Sequence, residues 1–190
     1  MTQSGSVIII TAPSGAGKTS ITRYLLQQFP KLRFSVSAAT RQQREGEVNG
    51  KDYHFMSVAA FNQRINEEAF VEWEMVYEGK YYGTLKSEIQ RIWSEGNTPL
   101  LDIDVKGAIH VQQQFAANSL SIFIQAPSVD ELHKRLESRG TETPQSIQTR
   151  ISKASYEMSF KDNFDITIIN DVLDRAQKET AVVVEDFLAK

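Results

Sequence analysis

Apolar runs of strand length alternate along the chain with segments whose apolar positions recur at helical spacing. Strands are predicted at residues 7–10, 34–37, 100–104, 121–125 and 166–169. Helices are predicted at residues 20–29 and 107–115 and from residues 128, 144 and 171. Ser128 and Glu131 form a capping box, and Thr143 precedes a proline at a first helical position. This alternation predicts an α/β fold whose parallel sheet is covered by helices on both faces.

The middle of the chain has a different pattern. Residues 40–52 are polar and predict a long loop, and residues 53–96 predict short strands at 53–56, 70–76 and 80–84 with helices from 57 and over 85–95. We expect one domain over residues 1–190. It consists of a core (about 1–36, 98–137 and 156–190), an inserted small α+β lobe (about 37–97) and a short helical lid (about 138–155).

Composition narrows the class of protein. The 190 residues carry 21 basic and 24 acidic side chains, a net charge of −3, so there is no overall basic field for nucleic acid or an acidic membrane. The absence of cysteine excludes a disulfide scaffold and thiol catalysis. No signal peptide or membrane span is predicted, and we expect a cytoplasmic protein. His54, His110 and His133 have no metal-ligand or triad spacing and are interpreted as structural or surface residues.

A phosphate-binding loop follows the first strand. The sequence Ala12-Pro13-Ser14-Gly15-Ala16-Gly17-Lys18-Thr19 is a Walker A motif with alanine in place of its first glycine. Its backbone N–H groups would surround a phosphate at a helix N-terminus. Lys18 would reach the β- and γ-phosphates of ATP, and the Thr19 hydroxyl would hold Mg²⁺.

Two aspartates at the end of a predicted buried strand complete this donor side. Asp102 and Asp104 would face the same way because they lie two residues apart on the strand. Asp102 is the expected partner of Mg²⁺, acting through water. Asp104 and Gly107 also fit the Asp-x-x-Gly form of GTPase switches, but no Asn-Lys-x-Asp motif follows.

Six short motifs follow one another along the chain. They are Thr40-Arg41-x-x-Arg44-x-Gly46-Glu47, Asn49-Gly50-x-Asp52-Tyr53, Phe70-Val71-Glu72-Trp73, Tyr82-Gly83-Thr84, Leu101-Asp102-Ile103-Asp104 and Arg139-Gly140-Thr141. With these motifs the chain resembles guanylate kinase over essentially its whole length. The resemblance implies a P-loop NTPase-type fold with a nucleotide-monophosphate-binding lobe and a lid. It also implies the reaction ATP + GMP ⇌ ADP + GDP with Mg²⁺, and dGMP as a further acceptor.

The resemblance also implies the acceptor site. Arg41, Arg44, Tyr53 and Tyr82 would hold the GMP phosphate, and Ser37, Glu72, Thr84 and Asp104 would read guanine. The chemistry agrees, because guanine presents N1–H and N2–H₂ donors side by side and a carboxylate accepts two such bonds. Adenine has an acceptor at N1 and would be rejected.

The lid is the third part of the implied site. Arg135, Arg139 and Arg150 would contact the ATP phosphates and the transferring group, and Asn170 would lie near adenine. The expected catalytic residues are therefore Lys18, Arg41, Arg44, Arg135, Arg139 and Arg150. Because the GMP phosphate is mostly dianionic at neutral pH, we expect attack without a general base.

The chain departs from the family pattern at Ala12, Gln43 and Lys106. Ala12 is tolerable if its φ is negative, Gln43 stands where proline is common, and Lys106 adds charge near the magnesium.

Two alternatives stay open: a kinase of this fold acting on a phosphorylated sugar, and a non-catalytic guanylate-kinase-like interaction module. The first would not need Ser37, Glu72 and Asp104 together, and the second typically lacks the phosphate loop. The oligomeric state is also open.

Overall fold

The apolar run near the N-terminus is the central strand of a parallel sheet. The structure, a computed structural model, describes residues 5–138 and 144–189. In chain order its elements are β1 (Val7–Thr11), α1 (Lys18–Gln28), β2 (Leu32–Phe34), β3 (Ala38–Ala39), β4 (His54–Phe55), α2 (Val58–Asn66), β5 (Phe70–Tyr77), β6 (Lys80–Leu85), α3 (Lys86–Ser94), β7 (Thr98–Asp102), α4 (Val105–Phe115), β8 (Ser119–Gln125), α5 (Val129–Ser138), α6 (Pro144–Met158), β9 (Ile166–Ile169) and α7 (Leu173–Leu188). The described part of the core sheet has the order β2-β7-β1-β8-β9, with every pairing parallel.

Alternate side chains of β1 are buried in two different layers. Ile8 and Ile10 belong to an apolar cluster that includes residues of α1, α5, α6 and α7. Val7 and Ile9 belong to a second cluster with residues of α3 and α4. Because side chains of a strand alternate between faces, a strand buried on both sides must be apolar at every position. The expected parallel sheet with helices on both faces is confirmed.

A second, mixed sheet forms the inserted lobe. Its described strands have the order β4-β3-β6-β5, with β3 and β4 parallel and the other pairs antiparallel. Phe61 of α2 stacks on Phe70 of β5 with ring centroids 4.4 Å apart, and Ala38 and Leu85 complete this small core. Helix α3 then returns the chain to the main sheet, since Ile89 packs with Leu101. The mixed α+β lobe is therefore also confirmed.

Two strand predictions were wrong in position. The strand expected at residues 34–37 ends at Phe34, and the chain then crosses to the second sheet at Ala38–Ala39. The strand expected at 100–104 ends at Asp102, because Asp104 is the N-cap of α4 and its Oδ1 accepts a hydrogen bond from the Gly107 N–H at 3.1 Å. Aspartate favours this position since it satisfies an otherwise unpaired amide of the first turn.

Three helices begin at residues other than those predicted. Helices α1 and α4 begin earlier than predicted, at Lys18 and Val105, and α7 begins later, at Leu173. The Ser128 hydroxyl accepts a hydrogen bond from the Glu131 N–H at 3.1 Å, as expected for a cap. The predicted stop at Arg139-Gly140 and the cap at Thr143 lie outside the described residues. No helix in the described ranges is both long and apolar enough to cross a membrane.

Candidate active site

A cavity of about 340 Å³ opens where β1 and β7 end, between the main sheet, the lobe and α6. Parallel strands end at the same edge of a sheet, so their following loops meet there. Most residues singled out in the sequence line this cavity: Ala12, Pro13, Ser14, Gly15, Gly17, Lys18, Thr19, Ser37, Arg41, Arg44, Tyr53, Glu72, Tyr82, Asp102, Asp104 and Arg150. Ala16, Thr84, Arg135 and Asn170 are not among the lining residues, and Arg139 lies outside the described part of the chain.

The phosphate loop (residues 12–19) depends on its glycines and on a distant asparagine. Gly17 has a φ of +95°, which disfavours any other residue. A Cβ there would also lie 2.2 Å from Nδ2 of Asn170. That buried amide donates a hydrogen bond to the Ala16 carbonyl at 2.7 Å. Ala12 lies outside the positive-φ region, so its departure from glycine is accommodated as expected.

Lys18 is held by the end of β7. Its Nζ lies 2.5 Å from Oδ1 of Asp102 and donates to the Ile103 carbonyl at 3.0 Å. The other oxygen of Asp102 is 3.4 Å from the Thr22 hydroxyl. Burial by itself lowers the pKa of Lys18, but the Asp102 carboxylate outweighs it and the pKa is raised. Lys18 is therefore a cation at neutral pH and is paired with the Asp102 carboxylate.

Helix α6 contacts both the phosphate loop and the lobe. The Arg150 guanidinium donates to the Ser14 hydroxyl at 2.8 Å. One turn later, Nζ of Lys153 lies 5.0 Å from the centroid of the Tyr77 ring and 3.4 Å from Oε1 of Glu157. Lys153 and Glu157 line the cavity, and sequence reasoning did not select either.

Arg41 is fixed by an acidic residue in its own loop. Its two terminal nitrogens donate to the two carboxylate oxygens of Glu47 at 2.6 and 2.5 Å, and its guanidinium carbon lies 4.8 Å from the Tyr53 ring centroid. The bond to Arg41 lowers the pKa of Glu47 to about 2. Sequence reasoning did not identify Glu47 as a residue of the site. An acid near two arginines in a polar loop was the available signal for this orienting role.

The loop around Arg41 has a second brace at Gln43, which stands where proline is common in the family that the sequence resembles. The side-chain amide of Gln43 donates to the Glu47 carbonyl, and the Arg44 N–H donates to Oε2 of Glu47 at 2.8 Å. The Arg44 side chain itself is exposed. The loop is therefore organised by hydrogen bonds rather than by a proline ring.

Glu72 is a buried carboxylate that lines the cavity. Its side chain accepts a 2.6 Å hydrogen bond from the Thr84 hydroxyl, and only 7% of the residue is exposed. Burial raises its pKa to about 7, and the like charges of Asp104 and Glu74 add to the shift. Thr84 is fully buried. The site therefore holds a carboxylate that takes up or releases a proton near neutral pH.

Two tyrosines and a serine line the same part of the cavity. The Tyr53 and Tyr82 rings meet edge to face with centroids 5.9 Å apart. Burial raises the pKa of Tyr82, so its hydroxyl stays neutral and can donate a hydrogen bond. Ser37 is buried beside them at the entry to β3.

The remaining basic and histidine candidates lie outside the cavity. Arg135 bonds to Glu131 at 3.2 Å and to the Asn170 carbonyl at 3.0 Å, so its charge is paired without an added anion. Lys106 is exposed in the first turn of α4. His110 and His133 are surface residues beside Glu74 and Glu137.

Each comparison with known proteins finds guanylate kinases. A family model described as guanylate kinase matches residues 4–187. The guanylate kinase of Bacteroides fragilis is 44% identical over 187 residues, covering 98% of this chain and 92% of its own. That of Salinibacter ruber is 45% identical over 184 residues, covering 97% of each. The crystal structure of guanylate kinase from Anaplasma phagocytophilum superposes with a TM-score of 0.78 at 26% identity, covering 96% of this chain and 85% of that one.

Proposed function

Because the chain belongs to the guanylate kinase family and transfers phosphate from ATP to GMP, we propose that its cavity divides this work between a donor end and an acceptor end. The observation that carries the proposal is that one cavity joins Lys18 and Asp102 to Glu72 and Asp104. A phosphate-binding group and a base-reading group must share one cavity if phosphate is to pass directly between nucleotides.

At the donor end, the phosphate loop and Lys18 bind the β- and γ-phosphates of ATP. Arg150, which donates to Ser14, is the lid residue best supported for a contact with the transferring group. Arg135 and Arg139 remain proposed contacts of the ATP phosphates. Arg135 would have to leave Glu131 and Asn170 to reach them. Asn170, which donates to the Ala16 carbonyl, supports the phosphate loop and remains a proposed neighbour of the adenine of ATP.

At the acceptor end, Arg41, Arg44, Tyr53 and Tyr82 bind the GMP phosphate. Glu72 and Asp104 accept hydrogen bonds from N1–H and N2–H₂ of guanine, with Ser37 and Thr84 beside them. The Thr84 hydroxyl donates to Glu72 and retains the capacity to accept a bond from the guanine amino group. Ionised Glu72 offers two acceptor oxygens to two donors, which is the pattern that excludes adenine.

Thr19 and Asp102 would hold Mg²⁺, with Asp102 acting through water. Both supply oxygen, the donor that Mg²⁺ prefers, and both line the cavity. The described residues contain no group of three or more His, Cys, Asp or Glu able to hold a metal ion. The remaining ligands would therefore be ATP oxygens and water. When bound, the ion neutralises charge on the β- and γ-phosphates.

Transfer needs alignment and charge neutralisation more than proton removal. The GMP phosphate has a second pKa of about 6, so the attacking oxygen is already ionised at neutral pH. Lys18, Arg41, Arg44 and Arg150 neutralise the charge that spreads over the transferring group.

We propose that the lobe (residues 37–97) and the lid (residues 138–155) close over both nucleotides and exclude water. We also propose a cytoplasmic location, where both nucleotides are available.

A coupled assay of ADP formation with GMP, dGMP, AMP and UMP tests the base assignment. GMP and dGMP should be phosphorylated, because the proposed contacts involve the base and the phosphate rather than the 2′-hydroxyl. Faster turnover of AMP than of GMP would contradict the assignment of Glu72 and Asp104 to guanine.

The affinity for GMP should depend on the protonation of Glu72. Its raised pKa of about 7 means that it is mostly protonated at lower pH and then donates a proton where guanine needs an acceptor. The KM for GMP should therefore fall about tenfold between about pH 6 and about pH 8 as the carboxylate ionises. Steady-state kinetics at saturating ATP measure this.

The GMP phosphate also titrates in this range, and the Glu72→Gln variant controls for it. The phosphate contributes equally to both proteins, so the difference between their profiles isolates Glu72. Parallel profiles for the two proteins would show that Glu72 does not control GMP binding.

Asn170→Ala should loosen the phosphate loop. The substitution leaves the Ala16 carbonyl without its buried donor, so Tm should fall by about 2–10 °C. The KM for ATP should rise several-fold while the KM for GMP stays near its parent value. The exposed Asn118→Ala is the matched control. An Asn170→Ala enzyme with parental Tm and parental KM for ATP would contradict this supporting role.

A further inference from the structure

Gly107 lies in the first turn of α4, next to both carboxylates of the proposed guanine site. A Cβ at this position would lie 2.5 Å from Oε2 and 3.1 Å from Cδ of Glu72, and 3.0 Å from Oδ1 of Asp104. Real side chains do not approach another atom as closely as 2.5 Å, so the Glu72 carboxylate would have to move, whereas the contact with Asp104 would only be tight. The absence of a side chain at Gly107 is therefore what lets Glu72 lie against the start of α4.

The backbone does not require glycine here. Gly107 is not among the residues with positive φ, and it lies within the regular helix Val105–Phe115. In such a position glycine weakens a helix relative to alanine, because its unfolded chain has more freedom. The chain thus carries a residue that disfavours its own helix at a place where alanine has the right conformation. The nearby carboxylates supply a reason for it.

The group that would give way is Glu72. Asp104 is fixed as the N-cap of α4 and is bonded to the Gly107 N–H itself. Glu72 lies at the end of a flexible side chain and is held by the Thr84 hydroxyl at 2.6 Å. Moving Oε2 by the ångström or so that a methyl group demands would rotate the carboxylate and strain that bond. Folding tolerates such a shift, whereas recognition of a rigid base edge does not.

We propose that Gly107 is a specificity-determining positioning residue, which lets the carboxylates of Glu72 and Asp104 converge on the N1–H and N2–H₂ edge of guanine. This inference rests on the proposed function, in which Glu72 reads the base. Gly107, which has no side chain, thus determines the geometry on which discrimination between purine monophosphates depends.

Gly107→Ala tests the inference directly. The KM for GMP should rise roughly 10- to 100-fold, as expected for the loss of hydrogen bonds to a charged group. The KM for ATP should stay within about twofold, and Tm should equal or exceed the parent value because alanine favours the helix. Gln113→Ala, an exposed change on the same helix, should leave both KM values unchanged. A KM for GMP within twofold of the parent, or a large fall in Tm, would overturn the inference.

Inosine monophosphate separates loss of recognition from general damage. It retains N1–H but lacks the 2-amino group, so the parent enzyme should favour GMP over it. In Gly107→Ala this preference should shrink, because a displaced Glu72 no longer meets both donors. If kcat/KM for GMP and for inosine monophosphate fall by the same factor, Gly107 has a structural role only.

A double-mutant cycle identifies the residue through which Gly107 acts. In a Glu72→Gln background, Gly107→Ala should have little further effect on the KM for GMP, since the contact is already impaired. Full additivity would overturn the inference and leave the proposed function intact. If Glu72→Gln alone leaves the KM for GMP unchanged, the proposed reading of guanine by Glu72 fails, and the inference fails with it.

Discussion

Replacing Lys18 by methionine should lower kcat by about 10²–10³-fold or more, the loss seen when one preorganised charge is removed from a transition state. Methionine keeps most of the volume of the side chain but cannot neutralise the β- and γ-phosphates. The KM for GMP should change little, because Lys18 lies at the donor end of the cavity. Single-turnover measurement of phosphate transfer from ATP to GMP gives the rate of the chemical step.

Lys18→Met should also destabilise the folded protein, an effect that the sequence alone did not suggest. Without Lys18, the Asp102 carboxylate loses the partner 2.5 Å away, and an unpaired, mostly buried carboxylate costs about 1–3 kcal/mol. The double variant Lys18→Met/Asp102→Asn removes both charges and should recover much of the lost Tm while remaining inactive. Near-parental kcat in Lys18→Met would show that the lysine does not act on the phosphates.

Glu72→Gln should lower kcat/KM for GMP by about 10²–10⁴-fold, since two hydrogen bonds to a charged acceptor are impaired. The glutamine side chain offers one acceptor and one donor where guanine presents two donors. Its amide N–H can donate to the N1 acceptor of adenine, which the carboxylate repels, so the preference for GMP over AMP should shrink. Competition between GMP and AMP in one reaction, with both diphosphates quantified, measures the ratio.

Glu74→Gln is the matched control for this substitution. Glu74 lies on the same strand and is not among the residues that line the cavity. Its replacement by glutamine is the same chemical change as in Glu72→Gln. Its removal should shift the pH profile slightly, because its charge contributes to the raised pKa of Glu72. A similar loss of GMP selectivity in both variants would show that the effect comes from strand β5 as a whole rather than from the Glu72 carboxylate.

The parts of this protein that could be predicted are those whose signals are local. The phosphate loop was identified because the strand, the glycines and Lys18 are contiguous in sequence. The alternation of strands and helices likewise predicts the parallel sheet. Asp104 was misplaced because the end of an apolar strand and the cap of the next helix contain the same kinds of residue. Only the pairing of β7 with β1, which stops at Asp102, separates the two.

The contacts that complete the site join residues far apart in sequence. Asn170 reaches Ala16 across 154 positions, and no periodicity connects them. Lys153 meets Tyr77 because α6 passes over the lobe. Gly107 is an ordinary helical glycine in sequence, and its closeness to Glu72 depends on how β5 packs against α4. Such contacts follow from tertiary packing, which a single sequence does not specify.

The two hydrogen bonds between Arg41 and Glu47 determine the stage, folding or binding, at which the Arg41 side chain loses its conformational entropy. A free arginine side chain gives up about 2 kcal/mol of rotamer freedom when it is ordered. Arg41 gives it up during folding, because both terminal nitrogens are already bonded to Glu47. The exposed Arg44 side chain would instead be ordered by the arriving phosphate. The acceptor loop thus pairs one preorganised arginine, which fixes where the phosphate lies, with one adaptable arginine that can follow it as the lobe closes.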